Sequence, residues 1–160
     1  AKYAGIVLIR GFSAWEVLAI LTLRQNIYTD PQKPLLIDPK LYSIGKVSQD
    51  SPLFVTTNFS LTYYTVLGEV ETSKIPAYIL SVDTQGMSVL TAWAAEKFNA
   101  EAITKSLSAC GVKEIIKHKN LVIPGYVAMI SGDLEDQSGF KIIVGPKEAA
   151  GIPAFLKNLN

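Results

Sequence analysis

The sequence predicts an α/β domain with a doubly wound, mostly parallel β-sheet. Short apolar runs, typical of strands that are buried on both faces of a sheet, alternate with longer segments of helical composition. Regular alternation of strands and helices is in turn typical of parallel sheets with helices on both faces. Because right-handed crossovers bring the carboxyl ends of parallel strands to one edge, we expect a ligand to bind at that edge.

Composition limits the size of the domain and its possible partners. The chain has 160 residues, which suits one ordinary domain or one domain with a fragment of another. Hydrophobic residues make up 49% of the chain and charged residues 18%, so we expect something outside this chain to cover part of its apolar surface. The 15 basic and 14 acidic residues nearly cancel. This balance indicates neither a nucleic acid nor an anionic membrane as a partner.

Cysteine content and the hydrophobic pattern both indicate a cytoplasmic protein. Cys110 is the only cysteine, so no intrachain disulfide can form and a reducing compartment is the natural interpretation. The longest apolar stretches, at residues 6–9 and 15–23, are too short to span a bilayer and are interrupted by Arg10 and Glu16. No signal-peptide pattern is recognisable.

The first fifty residues predict one β-α unit followed by a connector. Residues 3–9 form an apolar run typical of a buried strand, and Ser13 is placed to cap a helix that extends to about Leu23. One such unit cannot cover both faces of its own strand, so its neighbours lie upstream of this chain or it docks on the rest of the chain; the first explanation is favoured. Residues 24–52 contain four prolines and a Thr-Asp-Pro turn signal, which predict a connector between two folded units.

From Leu53 onward the pattern is regular and predicts four strands separated by helices. The predicted strands cover residues 53–57, 76–82, 120–123 and 140–144. The predicted helices cover residues 60–72, 88–98, 100–109, 126–134 and 147–156, the last of them broken. Each strand is followed by at least one helix, as the crossovers of a parallel sheet require.

The four predicted strand ends carry loops that are rich in glycine, hydroxyl and amide groups and poor in charge. These loops are residues 56–59, 83–88, 124–126 and 145–147. Glycines let the backbone approach a ligand closely, and hydroxyls and free helix N-terminal amides supply hydrogen bonds. Such loops suit a large, neutral, amide-rich ligand better than a polyanion. Ordinary turn and cap residues give a similar pattern, and that alternative stays open on pattern alone.

Conventional catalytic groups are scarce. His118, the only histidine, lies in a basic run before a strand, where a solvated side chain is expected. Cys110 precedes a glycine at an expected helix end, which indicates a buried structural thiol. The acidic residues Asp133, Glu135 and Asp136 fit a solvated helix end, and the motifs for phosphate binding, zinc proteolysis and serine hydrolysis are absent from the sequence. With no metal-ligand set either, the pattern favours a carrier or binding role over self-contained catalysis.

Five segments together resemble one known family. They are Thr-Leu-Arg-Gln-Asn-Ile-Tyr-Thr-Asp-Pro-Gln-Lys-Pro at residues 22–34, Val-Thr-Thr-Asn-Phe-Ser-Leu-Thr-Tyr at 55–63, Val-Asp-Thr-Gln-Gly-Met-Ser-Val-Leu-Thr-Ala-Trp-Ala-Ala at 82–95, Ile-Pro-Gly-Tyr-Val-Ala at 123–128 and Val-Gly-Pro-Lys-Glu-Ala at 144–149. Across essentially the whole chain the sequence resembles the large (gamma) subunit of the corrinoid iron-sulfur protein of the carbon monoxide dehydrogenase/acetyl-CoA synthase system.

The resemblance implies a domain organisation. Residues 1–23 would be the last β-α unit of a truncated TIM barrel, residues 24–52 a linker, and residues 53–160 a Rossmann-like corrinoid-binding domain. The 4Fe-4S cluster of the family would belong to a domain upstream, because its cysteine motif is absent from this chain.

The resemblance also implies a function and a set of partners. The family carries a methyl group on the cobalt of a corrinoid, received from a methyltetrahydrofolate methyltransferase, or from a pterin equivalent in archaea, and delivered to acetyl-CoA synthase. A small TIM-barrel subunit covers the corrinoid, and a reductive activator would restore it. A surface covered by a partner agrees with the high apolar content of the chain.

One strand end allows a chemical comparison. Corrinoid modules of the methionine-synthase type carry an Asp-x-His-x-x-Gly motif whose histidine ligates cobalt, whereas residues 83–88 here read Asp-Thr-Gln-Gly-Met-Ser. The resemblance thus implies a base-off cobalamin without a protein axial ligand, a state in which Co(I) is easier to reach. We expect Thr84 or Thr91 near the cobalt without a bond to it. The segment assigned to the lower corrin face is Gly86, Met87, Ser88, Val89, Leu90 and Thr91. The candidates for holding the corrin amides and the displaced nucleotide tail are Thr57, Thr62, Gly125, Gly145 and Pro146.

Two other functions remain as alternatives. An enzyme that binds a nucleotide or S-adenosylmethionine uses a similar sheet, but the glycine fingerprint and a suitably placed ribose-binding acid are missing. A structural domain that only docks another subunit through its strand-end loops is the second alternative.

Overall fold

The computed structural model of this chain describes Gly11, residues 13–28 and residues 35–159. The chain divides into two compact units, residues 1–35 and residues 36–160. The strand predicted over residues 3–9 lies outside the described residues, so the assignment of residues 1–23 to a TIM-barrel unit stays a prediction.

The first unit contains helix α1 (Ala14–Tyr28). The backbone N–H and the hydroxyl of Ser13 both donate to Glu16 Oε2 at 2.9 Å, so Glu16 satisfies a backbone donor at the helix start, as in a capping box. These two hydrogen bonds, the backbone one first, lower the pKa of the Glu16 carboxyl. The predicted helix start after Ser13 is confirmed, and the helix continues beyond the predicted end at Leu23 to Tyr28.

The second unit is built on a five-stranded sheet with the strand order β1-β3-β2-β4-β5. The strands are β1 (Leu41–Ile44), β2 (Leu53–Thr57), β3 (Ala77–Val82), β4 (Asn120–Ile123) and β5 (Lys141–Val144). The last four run parallel, and β1 pairs antiparallel with β3 at one edge. The mostly parallel sheet predicted from the sequence is confirmed.

The central strands are apolar because side chains from both of their faces enter a core. Every residue of β2 and β3 is buried. Successive residues of a strand point to opposite faces of the sheet, and Phe54 accordingly packs in one hydrophobic cluster while Val55 packs in the other. This double burial explains why both strands read as continuous apolar runs.

Helices cover both faces of the sheet. One face carries α2 (Ser60–Ser73) and α7 (Ile152–Asn158), and the other carries α4 (Ala100–Ala109) and α6 (Ser131–Ser138). The shorter elements are α3 (Val89–Ala94), α5 (Val112–Ile115) and 3₁₀ helices at Gly125–Ile130 and Ala149–Gly151. Among all the helices described, none is long and apolar enough to cross a membrane.

In the second unit, apart from the short helix α5 and shifts of one or two residues at the ends of elements, the structure differs from the predicted elements in three places. β1 lies within residues 24–52, where only a connector is predicted; it is a four-residue edge strand, too short for a period-two pattern to be recognised. The helix predicted over residues 126–134 is a 3₁₀ helix followed by α6, which continues to Ser138. The helix predicted over residues 88–98 ends earlier, at Ala94, and Glu96 then adopts a φ of 57°.

A side chain occupies the outer edge of β5. Glu135, in the last turns of α6, accepts a hydrogen bond from the backbone N–H of Ile142 at 2.8 Å. An edge strand otherwise leaves such donors unpaired. The carboxylate therefore takes the place of a neighbouring strand at this position.

Candidate functional site

A cavity of about 270 Å³ opens at the carboxyl ends of β2 and β4. The strand order reverses between these two strands, since the chain moves from β2 outward to β3 and then returns to β4 on the other side. Open α/β sheets bind their ligands at such a reversal because the connections diverge there and leave a crevice. The predicted location of a ligand site at this edge therefore coincides with a cavity.

The wall of the cavity is mostly apolar. The sheet contributes Phe54 and Val122, and α2 contributes Leu61, Thr62 and Val66 along one side. The turn after β5, with Gly145, Pro146 and Lys147, forms another side. Of the residues predicted from the sequence to hold the nucleotide tail, Thr62, Gly145 and Pro146 line this cavity.

Thr56 supplies a polar atom in the apolar wall. Its side chain is 1% exposed, and its hydroxyl has no hydrogen-bond partner among the described residues. A buried hydroxyl without a partner is unfavourable in the absence of a ligand, so it marks a position where a ligand can offer a polar group. The sequence-based candidate was Thr57, which is also buried and unpaired within the described part of the chain but does not line the cavity. Neighbouring strand residues point to opposite faces, which explains the difference of one position.

Two glycines bring the loops after β4 and β5 together. Gly125 N–H donates to the Pro146 carbonyl at 3.1 Å, and Gly145 N–H donates to the Ile123 carbonyl at 2.9 Å. A Cβ atom on Gly145 would lie 2.9 Å from Val122 Cγ1, closer than packing allows. The glycine-rich loops singled out from the sequence therefore contact each other through their backbones and shape this side of the cavity.

The loop after β3 is held by the side chain of Asn58, which follows β2. Thr84 N–H, Thr84 Oγ1 and Gly86 N–H donate to Asn58 Oδ1 at 2.9, 3.0 and 3.0 Å. Asn58 Nδ2 donates to Asp83 Oδ1 at 3.1 Å, and the same carboxylate oxygen accepts from Gln85 N–H at 3.0 Å. No signal in the sequence singled out Asn58, because a buried amide cannot be told from an ordinary turn residue before the loop geometry is known.

These contacts distinguish the two threonines, Thr84 and Thr91, that the sequence proposes near the metal. Thr84 is fully buried, and its hydroxyl lies within hydrogen-bond distance of Asn58 Oδ1 and, at 3.1 Å, of the Met87 carbonyl. That hydroxyl is therefore used inside the loop. Thr91 is exposed, and its Oγ1 lies 3.0 Å from Ser88 Oγ. Of the two candidates, only Thr91 presents its hydroxyl at the surface.

The start of α3 lies beside the cavity. Val89 is part of the cavity wall. Met87 and Ser88 are half-buried, and Leu90 and Thr91 are exposed. The segment predicted to face the corrin thus borders the cavity and presents a partly exposed, uncharged surface.

Apolar side chains are exposed on three elements that border the cavity. They are Leu61 on α2, Leu90 and Trp93 on α3, and Tyr126 and Met129 on the 3₁₀ helix after β4, and we refer to these five residues as the apolar rim. The helix α3 contacts that 3₁₀ helix. Exposed apolar patches of this kind mark ligand or protein contacts. The sequence pattern missed the rim because Trp93, Tyr126 and Met129 are not distinguished from core residues until the helix faces are known.

His118 and Cys110 lie elsewhere. His118 precedes β4 and therefore sits at the amino-terminal edge of the sheet, opposite the cavity. Its Nε2 donates to the Ser51 carbonyl at 2.8 Å, and its Nδ1 accepts from Asn120 N–H at 3.1 Å, which defines the neutral Nε2–H tautomer. Cys110 caps the end of α4 and is half-buried. Among the described side chains, no group of three or more His, Cys, Asp or Glu could hold a metal ion.

Comparison with known proteins identifies relatives over nearly the whole chain. The sequence is 51% identical over 156 residues to the corrinoid/iron-sulfur protein large subunit of Moorella thermoacetica, which covers 98% of this chain and 35% of that protein. It is 42% identical over 158 residues to the acetyl-CoA decarbonylase/synthase complex subunit gamma of Methanothermobacter thermautotrophicus, covering 99% of this chain and 34% of the relative. The same subunit of Methanocaldococcus jannaschii is 38% identical, with 98% and 32% covered.

These comparisons confirm the resemblance found in the sequence. Two details concern the length of the match and the name of the family. The chain spans about a third of the length of the curated relatives it matches. The family profile that matches residues 1–156 is described as a delta subunit, whereas these relatives are named large or gamma subunits. With 156 of 160 residues inside the profile, the chain belongs to the CO dehydrogenase/acetyl-CoA synthase delta subunit family.

Proposed function

We propose that this chain is the corrinoid-binding part of a methyl carrier. The observation that carries the proposal is the cavity at the reversal of strand order. It is mostly apolar, its wall includes the buried Thr56 hydroxyl, which has no partner among the described residues, and the elements that border it carry the apolar rim. The Moorella relative is named a corrinoid/iron-sulfur protein large subunit, which supports the same cofactor class.

The size of the cavity fits one part of a corrinoid. Sites that enclose a whole small ligand measure roughly 300–1,000 Å³, and the cavity here, at about 270 Å³, lies below that range. A corrinoid combines a broad, flat macrocycle with a narrower nucleotide tail. We assign the tail to the cavity and the macrocycle to the surface formed by the start of α3 and the apolar rim.

The residues around the cavity would hold the tail through shape and two hydroxyls. Thr56 and Thr62 both line the wall, and the unpaired Thr56 hydroxyl would gain a hydrogen bond that the protein alone does not give it. Gly145 and Pro146, in the turn after β5, line one side of the cavity and place no long side chain into it. Thr57 and Gly125 would act indirectly, by packing beside the wall.

The residues at the start of α3 would support the macrocycle. In the segment from Gly86 to Thr91, Gly86 is buried and the residues after it form a partly exposed, uncharged surface. Thr91 carries the hydroxyl that we place near the metal. A bound corrinoid would supply a cobalt that takes up and releases a methyl group. The only histidine, His118, lies at the opposite edge of the sheet, so the proposal has a base-off cofactor without a protein ligand to cobalt.

The resemblance to the family extends the proposal to partner proteins. The carrier would receive the methyl group from a methyltetrahydrofolate or pterin methyltransferase and deliver it to acetyl-CoA synthase. A small TIM-barrel subunit would cover the apolar rim, and a reductive activator would act with a 4Fe-4S cluster held outside this chain. Residues 1–23 would complete a TIM barrel, with residues 24–52 leading into the corrinoid-binding part.

Titration of the purified chain with hydroxocobalamin and with cobinamide, which lacks the nucleotide tail, tests the proposal. Both should bind, with a shift of the visible spectrum, and cobalamin should bind at least about tenfold more tightly because only it fills the cavity. ATP and S-adenosylmethionine serve as controls and should not bind. A chain that binds S-adenosylmethionine or ATP but no corrinoid would instead support the nucleotide-enzyme alternative, and a chain that binds none of them would leave only subunit docking.

A further inference from the structure

Asn58 connects the ends of the two neighbouring strands β2 and β3. Its side chain is 2% exposed, and its backbone is fixed as well, since its N–H donates to the Val82 carbonyl and its carbonyl accepts from Ile37 N–H, both at 2.9 Å. The residue is therefore anchored in the sheet while its amide reaches into the loop after β3.

The orientation of this amide is determined by its neighbours. Three donors, the Thr84 N–H, the Thr84 hydroxyl and the Gly86 N–H, surround one atom of the amide, and the Asp83 carboxylate lies at the other. Exchanging the oxygen and nitrogen positions would bring an NH₂ group against two N–H donors and an oxygen against a carboxylate. Asn58 Oδ1 is thus the common acceptor of the loop, and Nδ2 ties down Asp83.

The loop that Asn58 holds adopts a conformation that few residues adopt unaided. Gln85 and Gly86 have φ values of 56° and 73°, and the Met87 N–H donates to the Thr84 carbonyl at 3.2 Å. Two consecutive positive φ values closed by this hydrogen bond form a type I′ turn. Gln85 is not a glycine, so its left-handed conformation has to be imposed by the surrounding hydrogen bonds.

We propose that Asn58 is a positioning residue for the corrinoid: it sets the height and direction of the turn at Gln85 and Gly86, and so the surface from Gly86 to Thr91 on which the macrocycle rests. This inference rests on the proposed function, which it deepens. Asn58 does not touch the ligand, because it is buried and its oxygen already accepts three hydrogen bonds. Asn58 attaches the turn to the end of β2, and β2 also lines the cavity. The positions proposed for the tail and for the macrocycle are therefore fixed relative to each other.

The first test uses the chain without cofactor and measures amide hydrogen exchange. In Asn58→Ala the Thr84 and Gly86 amides lose their acceptor, and their exchange should accelerate at least about tenfold. The amides of Leu121 and Ile143, in strands that do not contact the loop, should exchange at the rate of the unmodified chain. Unchanged exchange at Thr84 and Gly86 would overturn the inference. If the alanine variant does not fold, the measurement is made on Asn58→Leu, which roughly keeps the size of the side chain but also has no acceptor atom.

The second test measures affinity for cobalamin and cobinamide. Asn58→Asp places a second carboxylate at the position of the 3.1 Å contact with Asp83, and the repulsion should displace the turn and weaken both ligands by a similar factor, about tenfold or more. Both weaken together because both carry the macrocycle. Adding Asp83→Asn to that variant removes the like charge and should improve affinity at least about threefold.

A matched control makes the same chemical change elsewhere. Asn99 caps α4 through a hydrogen bond from Ala102 N–H at 2.9 Å, which an aspartate also accepts. Its Nδ2 donates to the Glu96 carbonyl at 2.9 Å, so the substitution removes one amide donor, as it does at Asn58, but away from the turn at Gln85 and Gly86. Asn99→Asp should therefore bind both corrinoids as the unmodified chain does. An unmodified chain that binds corrinoid while Asn58→Asp binds equally well would overturn this inference alone. An unmodified chain that binds neither corrinoid would overturn the proposed function and this inference with it.

Discussion

Gly125 and Gly145 meet so closely that a Cβ atom on Gly125 would lie 2.6 Å from the Gly145 carbonyl oxygen. The same atom would lie 2.9 Å from the backbone nitrogen of Lys147. Both neighbours are backbone atoms, which cannot move aside as a flexible side chain does. The close approach of the loops after β4 and β5 thus depends on the absence of a side chain at Gly125.

The first prediction concerns this contact. Gly125→Ala should lower the free energy of unfolding by about 1–3 kcal/mol, because the added methyl group forces the loops after β4 and β5 apart, and it should weaken cobalamin binding. Urea unfolding and ligand titration measure the two effects. Gly68→Ala, in an exposed turn of α2 with nothing within 4 Å of the added atom, is the control and should stabilise by about 0.5–1 kcal/mol. Equal effects of the two substitutions would contradict the close contact.

The second prediction decides which threonine faces the ligand. Thr56→Val and Thr57→Val each remove a buried hydroxyl that has no partner among the described residues, so both should raise the free energy of unfolding by about 1 kcal/mol without ligand. Only Thr56 lines the cavity. Thr56→Val should therefore weaken cobalamin about threefold to tenfold and leave cobinamide unaffected, whereas Thr57→Val should change neither affinity. The reverse result would restore Thr57 as the contact.

The third prediction concerns alkaline pH. Burial, followed by the nearby Tyr42, raises the pKa of Tyr63 from 10.0 to about 12; the two rings lie 4.8 Å apart. The unfolded chain loses this proton near pH 10, while the folded chain retains it. Stability is therefore fully present below pH 10 and should fall as the pH rises toward 12. Unfolding in urea at pH 8, 10 and 11 should show a smaller fall for Tyr63→Phe. Tyr126→Phe, at an exposed tyrosine that is not among the causes of the raised Tyr63 pKa, should behave as the unmodified chain.

The fourth prediction concerns the only histidine. His118→Ala leaves the Ser51 carbonyl and the Asn120 N–H without their partner and should cost about 1–2 kcal/mol of stability. The visible spectrum of bound cobalamin should not change, because the residue lies at the opposite edge of the sheet. A spectrum that changes with this substitution would refute a cofactor without a histidine ligand.

Strands β2, β3 and β4 were predictable because most or all of their residues are buried, with side chains on both faces of the sheet. The runs at Leu53–Thr57 and Asn120–Ile123 end at the residues expected from the sequence, since a polar or turn-forming residue limits each run. β1 was not predictable: it is an edge strand, and its pairing with β3 depends on a partner that is distant in the sequence. Local pattern carries information on burial but little on pairing.

The site was predictable at the level of loops and less so at the level of side chains. Glycine content pointed to Gly125 and Gly145 because a close backbone approach requires that residue type. Thr57, the candidate chosen from the sequence, does not line the cavity, whereas Thr56 does. This difference, and the absence of Asn58 from the predicted site, have another cause. Which face a strand residue occupies, and whether a buried amide meets donors, follow from tertiary geometry that adjacent residues do not encode.

The hydrogen bond from Ile142 N–H to Glu135 Oε1 has a consequence for assembly. A strand from another molecule that sought to extend the sheet beyond β5 would have to displace a carboxylate and leave its charge without that donor. Side-by-side extension of the sheet by further copies of the chain, the arrangement found in fibres, is thereby discouraged beyond β5.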